Sequence, residues 1–182
     1  MNVQTLNVLL IEDDPCYADF VCRIFQEKSN QFRIDVVQKL QEAKSYLDEF
    51  HPDLIIADLC LPDGKGIELL YNGKVKDKIP MVIITGLGSE EDAVKAMKAG
   101  ALDYIIKTQE NSFYLPHIAK RTLKQWDDIT RQRLTESLLQ KSQNDLEETI
   151  RLRTAKLENE NIKLRSEIEK LEQEINSLKM KT

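Results

Sequence analysis

LIIADLCLPDGKGIELL, residues 54–70, contains the pattern from which the fold follows. The stretch begins with an unbroken apolar run, 54–57, which is typical of a strand buried on both faces of a parallel sheet. The turn residues Pro-Asp-Gly at 62–64 come next, and they open an amphipathic stretch that predicts a helix over 66–75. A strand, a turn and a helix in this order are typical of a βαβ unit.

The same alternation of apolar runs and amphipathic stretches extends from the N-terminus to about residue 110. Besides 54–57, four apolar runs predict strands, at 8–11, 34–37 (a weaker edge strand), 81–84 and 104–106. Helices are predicted between the strands, at 15–28, 39–50 and 89–99, the last capped by Ser89. We therefore predict an α/β fold with a doubly wound, five-stranded parallel sheet.

The sequence changes character after this region. A fifth helix is predicted to start near Phe113, with Pro116 in its first turn, where proline is tolerated. No glycine and no other proline follows, so we expect the helix to continue. We predict two domains, an α/β domain over 1–124 and a coiled-coil helix over 125–182 that continues from its last helix.

The C-terminal stretch carries a heptad repeat. Leucine recurs every seven residues and the other seam position holds Asn or Ile, namely Leu157, Leu164, Leu171 and Leu178 with Asn161, Ile168 and Ile175. Isoleucine at position a with leucine at d favours two parallel strands, and a single asparagine at a fixes the register. We predict a parallel homodimer whose supercoil is locally unwound near Thr154, where the spacing is irregular. A single helix folded onto this chain or onto another protein is the alternative.

Composition argues against several classes of protein. The net charge of −5 and the pI near 5.2 do not suit a surface that neutralises nucleic-acid phosphates, so no direct nucleic-acid binding is expected. The three cysteines form no C-x-x-C pair, which indicates reduced thiols. The first apolar run is too short to cross a bilayer, and no basic region precedes it. We predict a cytoplasmic protein without a membrane anchor.

Charged and hydroxyl side chains follow the predicted strands. Binding sites of open parallel sheets lie beyond the carboxyl ends of the strands. The residues found there are Glu12 and Asp13 after the first strand, Asp58 after the third, Thr85 after the fourth and Lys107 after the fifth. Carboxylates crowded together repel one another unless a cation lies between them, and their oxygens suit Mg²⁺. We predict a magnesium site in which Asp13 and Asp58 bind the ion directly and Glu12 binds it through water.

The same cluster fits phosphoryl transfer. Asp58 is the predicted nucleophile, because a carboxylate can form an acyl phosphate and the transfer needs mainly positioning and charge neutralisation. The Lys107 ammonium and the Thr85 hydroxyl are suited to hold phosphoryl oxygens. The backbone carbonyl of Cys60 is expected to supply a further metal ligand.

These residues, with ADLCLPDGKGIELL (57–70) and AMKAGALDYIIK (96–107), resemble the receiver domain of two-component response regulators over roughly residues 5–125. The resemblance implies a sensor histidine kinase or a phosphotransfer protein as partner, a requirement for Mg²⁺, and a sheet of strand order 2-1-3-4-5. It also implies a switch pair, Thr85 and Tyr104, that passes the signal to the fourth and fifth helices. Such a protein is a phosphoacceptor and not an enzyme that acts on an external substrate.

One position departs from that pattern. In the family the lysine is usually followed by a proline in a cis peptide bond, whereas Lys107 is followed by Thr108. A cis bond before a non-proline residue costs about 2.5–4 kcal/mol, so the placement of Lys107 depends on how the backbone passes Thr108. The alternative function is a receiver-like scaffold that is not phosphorylated and binds a partner as a constitutive dimer. Under the first hypothesis the coiled coil passes the signal to an output absent from this chain.

Overall fold

The structure of the chain, a computed structural model, describes residues 5–29, 31–71, 75 and 78–179. For residues 174, 175 and 177–179 it describes the backbone alone. The strands in this part of the chain are, in order, β1 (Leu6–Ile11), β2 (Phe32–Val37), β3 (Leu54–Asp58), β4 (Cys60–Leu61), β5 (Gly64–Lys65), β6 (Met81–Thr85) and β7 (Asp103–Ile106).

The five longer strands form one sheet in the order β2-β1-β3-β6-β7, and every neighbouring pair is parallel. Counting these five strands alone, the order is 2-1-3-4-5, which confirms the predicted topology. The short strands β4 and β5 pair with each other in an antiparallel hairpin. This hairpin was not predicted, because two-residue strands are too short to show a period of alternation. It follows β3 immediately and therefore shapes the loop after Asp58.

The helices of the described residues are α1 (Pro15–Lys28), α2 (Leu40–Glu49), α3 (Glu68–Tyr71), α4 (Glu90–Ala99) and α5 (Gln109–Lys179). The predicted cap of α4 is confirmed, because the Ser89 hydroxyl accepts a hydrogen bond from the Asp92 N–H at 3.1 Å. The third helix was predicted over 66–75 but begins at Glu68. Gly66 lies before the helix, and its carbonyl accepts a backbone hydrogen bond from the Leu69 N–H. Residues 72–74 of that prediction lie outside the described part of the chain.

Helices cover both faces of the sheet, as the doubly wound prediction requires. On one face α2, α3 and α4 pack on alternate strand residues such as Leu9, Ile55 and Ile83. On the other face α1 and α5 pack on the intervening residues, such as Leu10 and Ile56. All five of these strand side chains are at most 1% exposed. Burial on both faces explains why the strands read as unbroken apolar runs.

Helix α5 begins earlier than predicted. Its first residue is Gln109, and Thr108 caps it, because the Thr108 hydroxyl accepts from the Asn111 N–H at 3.1 Å. Pro116 therefore lies inside the helix and not in its first turn, which corrects the prediction of a start near Phe113. The error came from treating the proline as a start signal, whereas a threonine cap is the stronger local determinant here.

The chain divides into two compact units, Met1–Ile129 and Thr130–Thr182. In the second unit the described seam side chains are exposed, with Leu157 at 59%, Leu164 at 56% and Ile168 at 54%. The predicted domains at 1–124 and 125–182, and the coiled coil itself, stay predictions. In the described part of the chain, no helix has the length and apolar character needed to cross a bilayer.

Candidate functional site

The candidate site lies at the carboxyl edge of the parallel sheet. Strand β1 ends at Ile11 and is followed directly by Glu12 and Asp13, while Asp58 is the last residue of β3. Thr85 ends β6 and is paired in register with Ile106, the residue before Lys107. Because parallel strands end at the same edge, these side chains are brought to one place.

Lys107 and two buried carboxylates form the centre of this site. Lys107 Nζ donates to Glu12 Oε1 at 2.8 Å and to Asp58 Oδ2 at 2.6 Å. Glu12 is fully buried and Asp58 is 6% exposed, so both interactions are shielded from water. The structure thus brings together three of the residues that the sequence analysis assigned to this edge.

The backbone at Thr108 keeps Lys107 in place without a proline. The structure contains no cis peptide bond in its described part, so the Lys107–Thr108 bond is trans. The Lys107 N–H donates to the Thr85 carbonyl at 2.7 Å, which continues the pairing of β6 and β7 by one residue. The Thr108 N–H donates to the Ile106 carbonyl at 2.8 Å, a bond that proline cannot make.

Burial and charge shift the pKa values of Glu12 and Lys107 in opposite directions. Burial raises the pKa of Glu12, and the hydrogen bond and charge of Lys107 offset this rise only in part. Burial also works against the charged form of Lys107, but its hydrogen bonds to Asp58 and Glu12 more than compensate and raise the pKa of the ammonium. At neutral pH the lysine is therefore a fixed positive charge between two acids.

The acids at this edge have the arrangement of a hard-cation site. Oxygen atoms of Glu12, Asp13 and Asp58 lie within 4.8 Å of one another, and Asp13 is the exposed member of the group. Glu12 Oε2 is buried and makes no hydrogen bond within the described residues, although it lies 2.7 Å from Lys107 Nζ. Three carboxylates beside the Lys107 ammonium leave an excess of negative charge, which fits a site that receives a cation, and oxygen donors suit Mg²⁺.

Cys60 lies two residues after Asp58, and its side chain is exposed. Its backbone N–H donates to Asp58 Oδ1 at 3.2 Å, so the residue already orients the carboxylate. The role predicted for it, a carbonyl ligand to the metal, stays a prediction.

Thr85 and Tyr104 share a small buried space. The Thr85 side chain is 1% exposed, and its hydroxyl donates to the Leu87 carbonyl at 3.2 Å. The Tyr104 hydroxyl oxygen is buried without a hydrogen-bond partner in the described part of the chain, and burial raises its pKa. A Cβ at Gly88 would lie 3.0 Å from that hydroxyl and 3.2 Å from Thr85 Cγ2, so glycine leaves the room that both side chains occupy.

Sequence reasoning missed two residues that hold the loop after Asp58. At Gly66 a Cβ would lie 2.2 Å from the Asp58 carbonyl oxygen, so only glycine allows this close approach of the backbone. The Asp63 carboxylate accepts from the first backbone N–H groups of α2, Leu40 at 2.8 Å and Gln41 at 2.9 Å. The sequence signal that could have pointed to Asp63 is Lys39, because a lysine before α2 gives the helix no side-chain cap and leaves its first N–H groups for another residue to bind.

A third missed residue, Tyr17, stands beside the lysine. Lys107 Nζ lies 4.7 Å from the centroid of the Tyr17 ring, and Tyr17 is in the first turn of α1. No sequence signal separates it from an ordinary core aromatic.

A family model for the response regulator receiver domain matches residues 8–115. The Methanogenesis regulatory protein FilR1 of Methanothrix harundinacea is 37% identical over 131 residues, which cover 69% of this chain and 29% of that protein. The Phosphate regulon transcriptional regulatory protein PhoB of Escherichia coli is 35% identical over 103 residues, covering 55% of this chain and 44% of that protein. The match thus spans less than half the length of these curated relatives.

Solved structures of receiver domains are also similar to this chain. The signal receiver domain of a LuxO repressor protein from Vibrio parahaemolyticus aligns with a TM-score of 0.62 and 28% identity, covering 69% of this chain and 97% of that one. A CheY-like response regulator receiver domain protein from Methanospirillum hungatei aligns with a TM-score of 0.61 and 25% identity, covering 69% and 98%.

Proposed function

The chain belongs to the response regulator receiver domain family, and we propose that Asp58 is the residue that accepts the phosphoryl group. Receiver domains are signalling phosphoacceptors and interact with histidine kinases or phosphotransfer proteins. The observation that carries the proposal is the buried cluster in which Lys107 Nζ contacts both Asp58 and Glu12 at the strand ends. A scaffold that had lost phosphorylation would have no need to keep two acids and a lysine buried together, because such a cluster rarely stabilises a fold.

The chemistry is in-line transfer to a carboxylate. An Asp58 oxygen forms the new O–P bond while the P–N bond of a phosphohistidine breaks, and the bonding electrons leave with the imidazole. The Cys60 N–H fixes Asp58 Oδ1, and the Lys107 ammonium lies at Oδ2, where it can also contact an incoming phosphoryl oxygen. The Thr85 hydroxyl would exchange its bond to the Leu87 carbonyl for one to the phosphoryl group.

Asp13, Asp58 and the Cys60 carbonyl would hold Mg²⁺, with Glu12 acting through water. Receiver domains typically bind this ion through acidic residues, and the acidic group of this chain has the matching donor atoms. Bound Mg²⁺ supplies neutralising charge for the phosphoryl oxygens. In its absence the Lys107 ammonium pairs with both buried carboxylates.

Phosphorylation adds charge that the switch pair can sense. A phosphoryl group brings about −1.5 to −2 charges at neutral pH, which attract Lys107 and the Thr85 hydroxyl. Movement of Thr85 away from the Leu87 carbonyl would vacate part of the space beside Gly88 that its side chain shares with Tyr104, so that the aromatic ring can turn inward. We propose that this exchange shifts the equilibrium felt by α4 and by the start of α5.

The long helix is proposed to act as a parallel homodimer. Exposure does not separate the seam from its flanks, because off-seam Ile162 is 65% exposed and seam Leu164 is 56% exposed. The seven-residue spacing does separate them, because leucine recurs every seven residues along the seam, whereas the residues seven positions before and after Ile162 are Ala155 and Glu169. Pairing would bury these leucines and isoleucines and give the phosphorylated domain a second copy to signal through.

The test is phosphorylation in solution. The chain and its Asp58→Asn variant are incubated with acetyl phosphate and Mg²⁺, and intact mass is measured. We expect one added phosphoryl group on the parent and on an Asp19→Asn control, whose carboxylate is exposed on α1, and none on Asp58→Asn. No added mass on the parent, with folding and Mg²⁺ binding verified, would refute the proposal and favour the unphosphorylated scaffold.

A further inference from the structure

The ammonium of Lys107 has an aromatic neighbour as well as two acidic ones. Its Nζ lies 4.7 Å from the centroid of the Tyr17 ring, within the distance at which a cation is attracted to the ring face. Lysine carries its charge on a flexible four-carbon stem, so an ammonium is not fixed by its own backbone. The ring limits the positions that the ammonium can occupy between Glu12 and Asp58.

The Tyr17 ring is itself tied to the first turn of α5. Its hydroxyl oxygen lies 2.9 Å from Ser112 Oγ, a residue 95 positions later in the chain. The Ser112 hydroxyl donates its single proton to the Thr108 carbonyl at 2.7 Å, so in this pair Tyr17 is the donor. Ser112 is 1% exposed, which shields the hydrogen bonds from competing water.

The anchor ends on the backbone of Thr108. Its carbonyl accepts from both the N–H and the hydroxyl of Ser112, and its own hydroxyl caps α5 through the Asn111 N–H. Lys107 is therefore linked to α5 in two ways. Its backbone continues through Thr108 into the helix, and its ammonium contacts the Tyr17 ring, whose hydroxyl bonds Ser112. A proline at 108 would lack both the capping hydroxyl and the N–H that donates to the Ile106 carbonyl.

We propose that Tyr17 is a positioning residue for Lys107, held in its orientation by Ser112. The inference rests on the proposed function, because it concerns the rate at which Asp58 becomes phosphorylated. Tyr17 acts on the phosphoryl group only through the lysine. A tyrosine that merely filled the core would change stability and leave the contribution of Lys107 to the rate untouched.

The test measures the initial rate of phosphorylation of the full chain by acetyl phosphate with Mg²⁺. Tyr17→Leu is expected to slow the reaction about three- to ten-fold, as loss of a cation–π contact predicts. Tyr17→Phe, which keeps the ring, and Ser112→Ala should give smaller losses that do not add when they are combined. Tyr114→Phe is the matched control, because it removes a hydroxyl from a side chain that is 57% exposed on α5.

The decisive comparison repeats Tyr17→Leu in a Lys107→Ala background. If Tyr17 acts through the lysine, the second substitution changes the rate by less than about two-fold there. Equal slowing in both backgrounds, or no slowing in the parent background, would overturn the inference. Thermal unfolding of each variant checks that it is folded, and Tyr17→Phe stays interpretable if Tyr17→Leu is not. An unphosphorylated parent would mean that the proposed function itself has failed, which the intact mass shows separately.

Discussion

Replacing Lys107 by methionine tests the central ion cluster. Methionine keeps the length of the side-chain stem and removes the charge, so Glu12 and Asp58 are left buried beside each other without a counter-ion. The side chains of Lys107, Glu12 and Asp58 are 13%, 0% and 9% exposed, so water can replace the ammonium only in part. We expect the variant to fold but to be markedly less stable at neutral pH.

The magnitude follows from burial. Removing one partner of a buried ion pair costs about 3–5 kcal/mol. Because the lysine and Asp58 keep a small contact with water, we expect about 2–4 kcal/mol less free energy of unfolding at pH 7 without Mg²⁺. The loss is fully present at this pH, because the raised pKa of Lys107 keeps its stabilising contribution intact below the ordinary value of 10.5.

The pH dependence has a defined sign. Burial raises the pKa of Glu12 and Lys107 partly offsets this rise, so removing the lysine raises the pKa further. An acid whose pKa is raised on folding favours the folded state at low pH and loses that contribution as the pH rises. The difference between the variant and the parent should therefore shrink as the pH falls through the folded pKa of Glu12.

Urea unfolding followed by circular dichroism provides the measurement. Lys124→Met is the matched control, since Lys124 is exposed on α5, and a surface change of this kind alters stability by less than about 0.5 kcal/mol. Saturating Mg²⁺ should restore part of the stability of Lys107→Met, because a cation then balances the acids. A Lys107→Met variant as stable as the parent at pH 7 without Mg²⁺ would refute the description of a buried, mutually dependent cluster.

Three further predictions concern the loop and the long helix. Gly66→Ala would place a Cβ 2.2 Å from the backbone carbonyl oxygen of Asp58, and we expect it to lower the free energy of unfolding, measured in urea, by about 2–3 kcal/mol. The control Gly86→Ala, whose Cβ would have nothing within 4 Å, should leave this free energy unchanged. Asp63→Ala should lower the melting temperature at pH 6, because backbone N–H groups of α2 lower the pKa of this carboxyl, and the difference should shrink only below pH 3.8, as the pH falls through the lowered pKa of the folded state. A pH-independent difference would show that the cap is not electrostatic. Leu164→Asp should abolish dimers in sedimentation equilibrium while Ile162→Asp preserves them; equal behaviour of the two would exclude the heptad seam.

Much of the fold could be predicted from the sequence, because the patterns that specify strands and helix caps are local. A strand buried on both faces must be apolar at every position, so β3 and β6 appear as unbroken runs, and Ser89 is a cap wherever a helix follows it. Parallel strands end at one edge, which is why Asp58 and Lys107 could be placed together although 49 positions separate them. The start of α5 was misjudged because Pro116 is a strong signal that here lies inside the helix.

The sequence by itself determined the architecture and the residues at the strand ends, and its resemblance to a receiver domain implied the strand order. Only the tertiary structure decided how those residues are held. Asp63 caps α2 from 23 positions away, Gly66 gives room to the Asp58 carbonyl, and Tyr17 meets Ser112 across 95 positions. Periodicity and capping act within a few residues, whereas these contacts exist only because the folded chain brings separate helices, strands and loops close together.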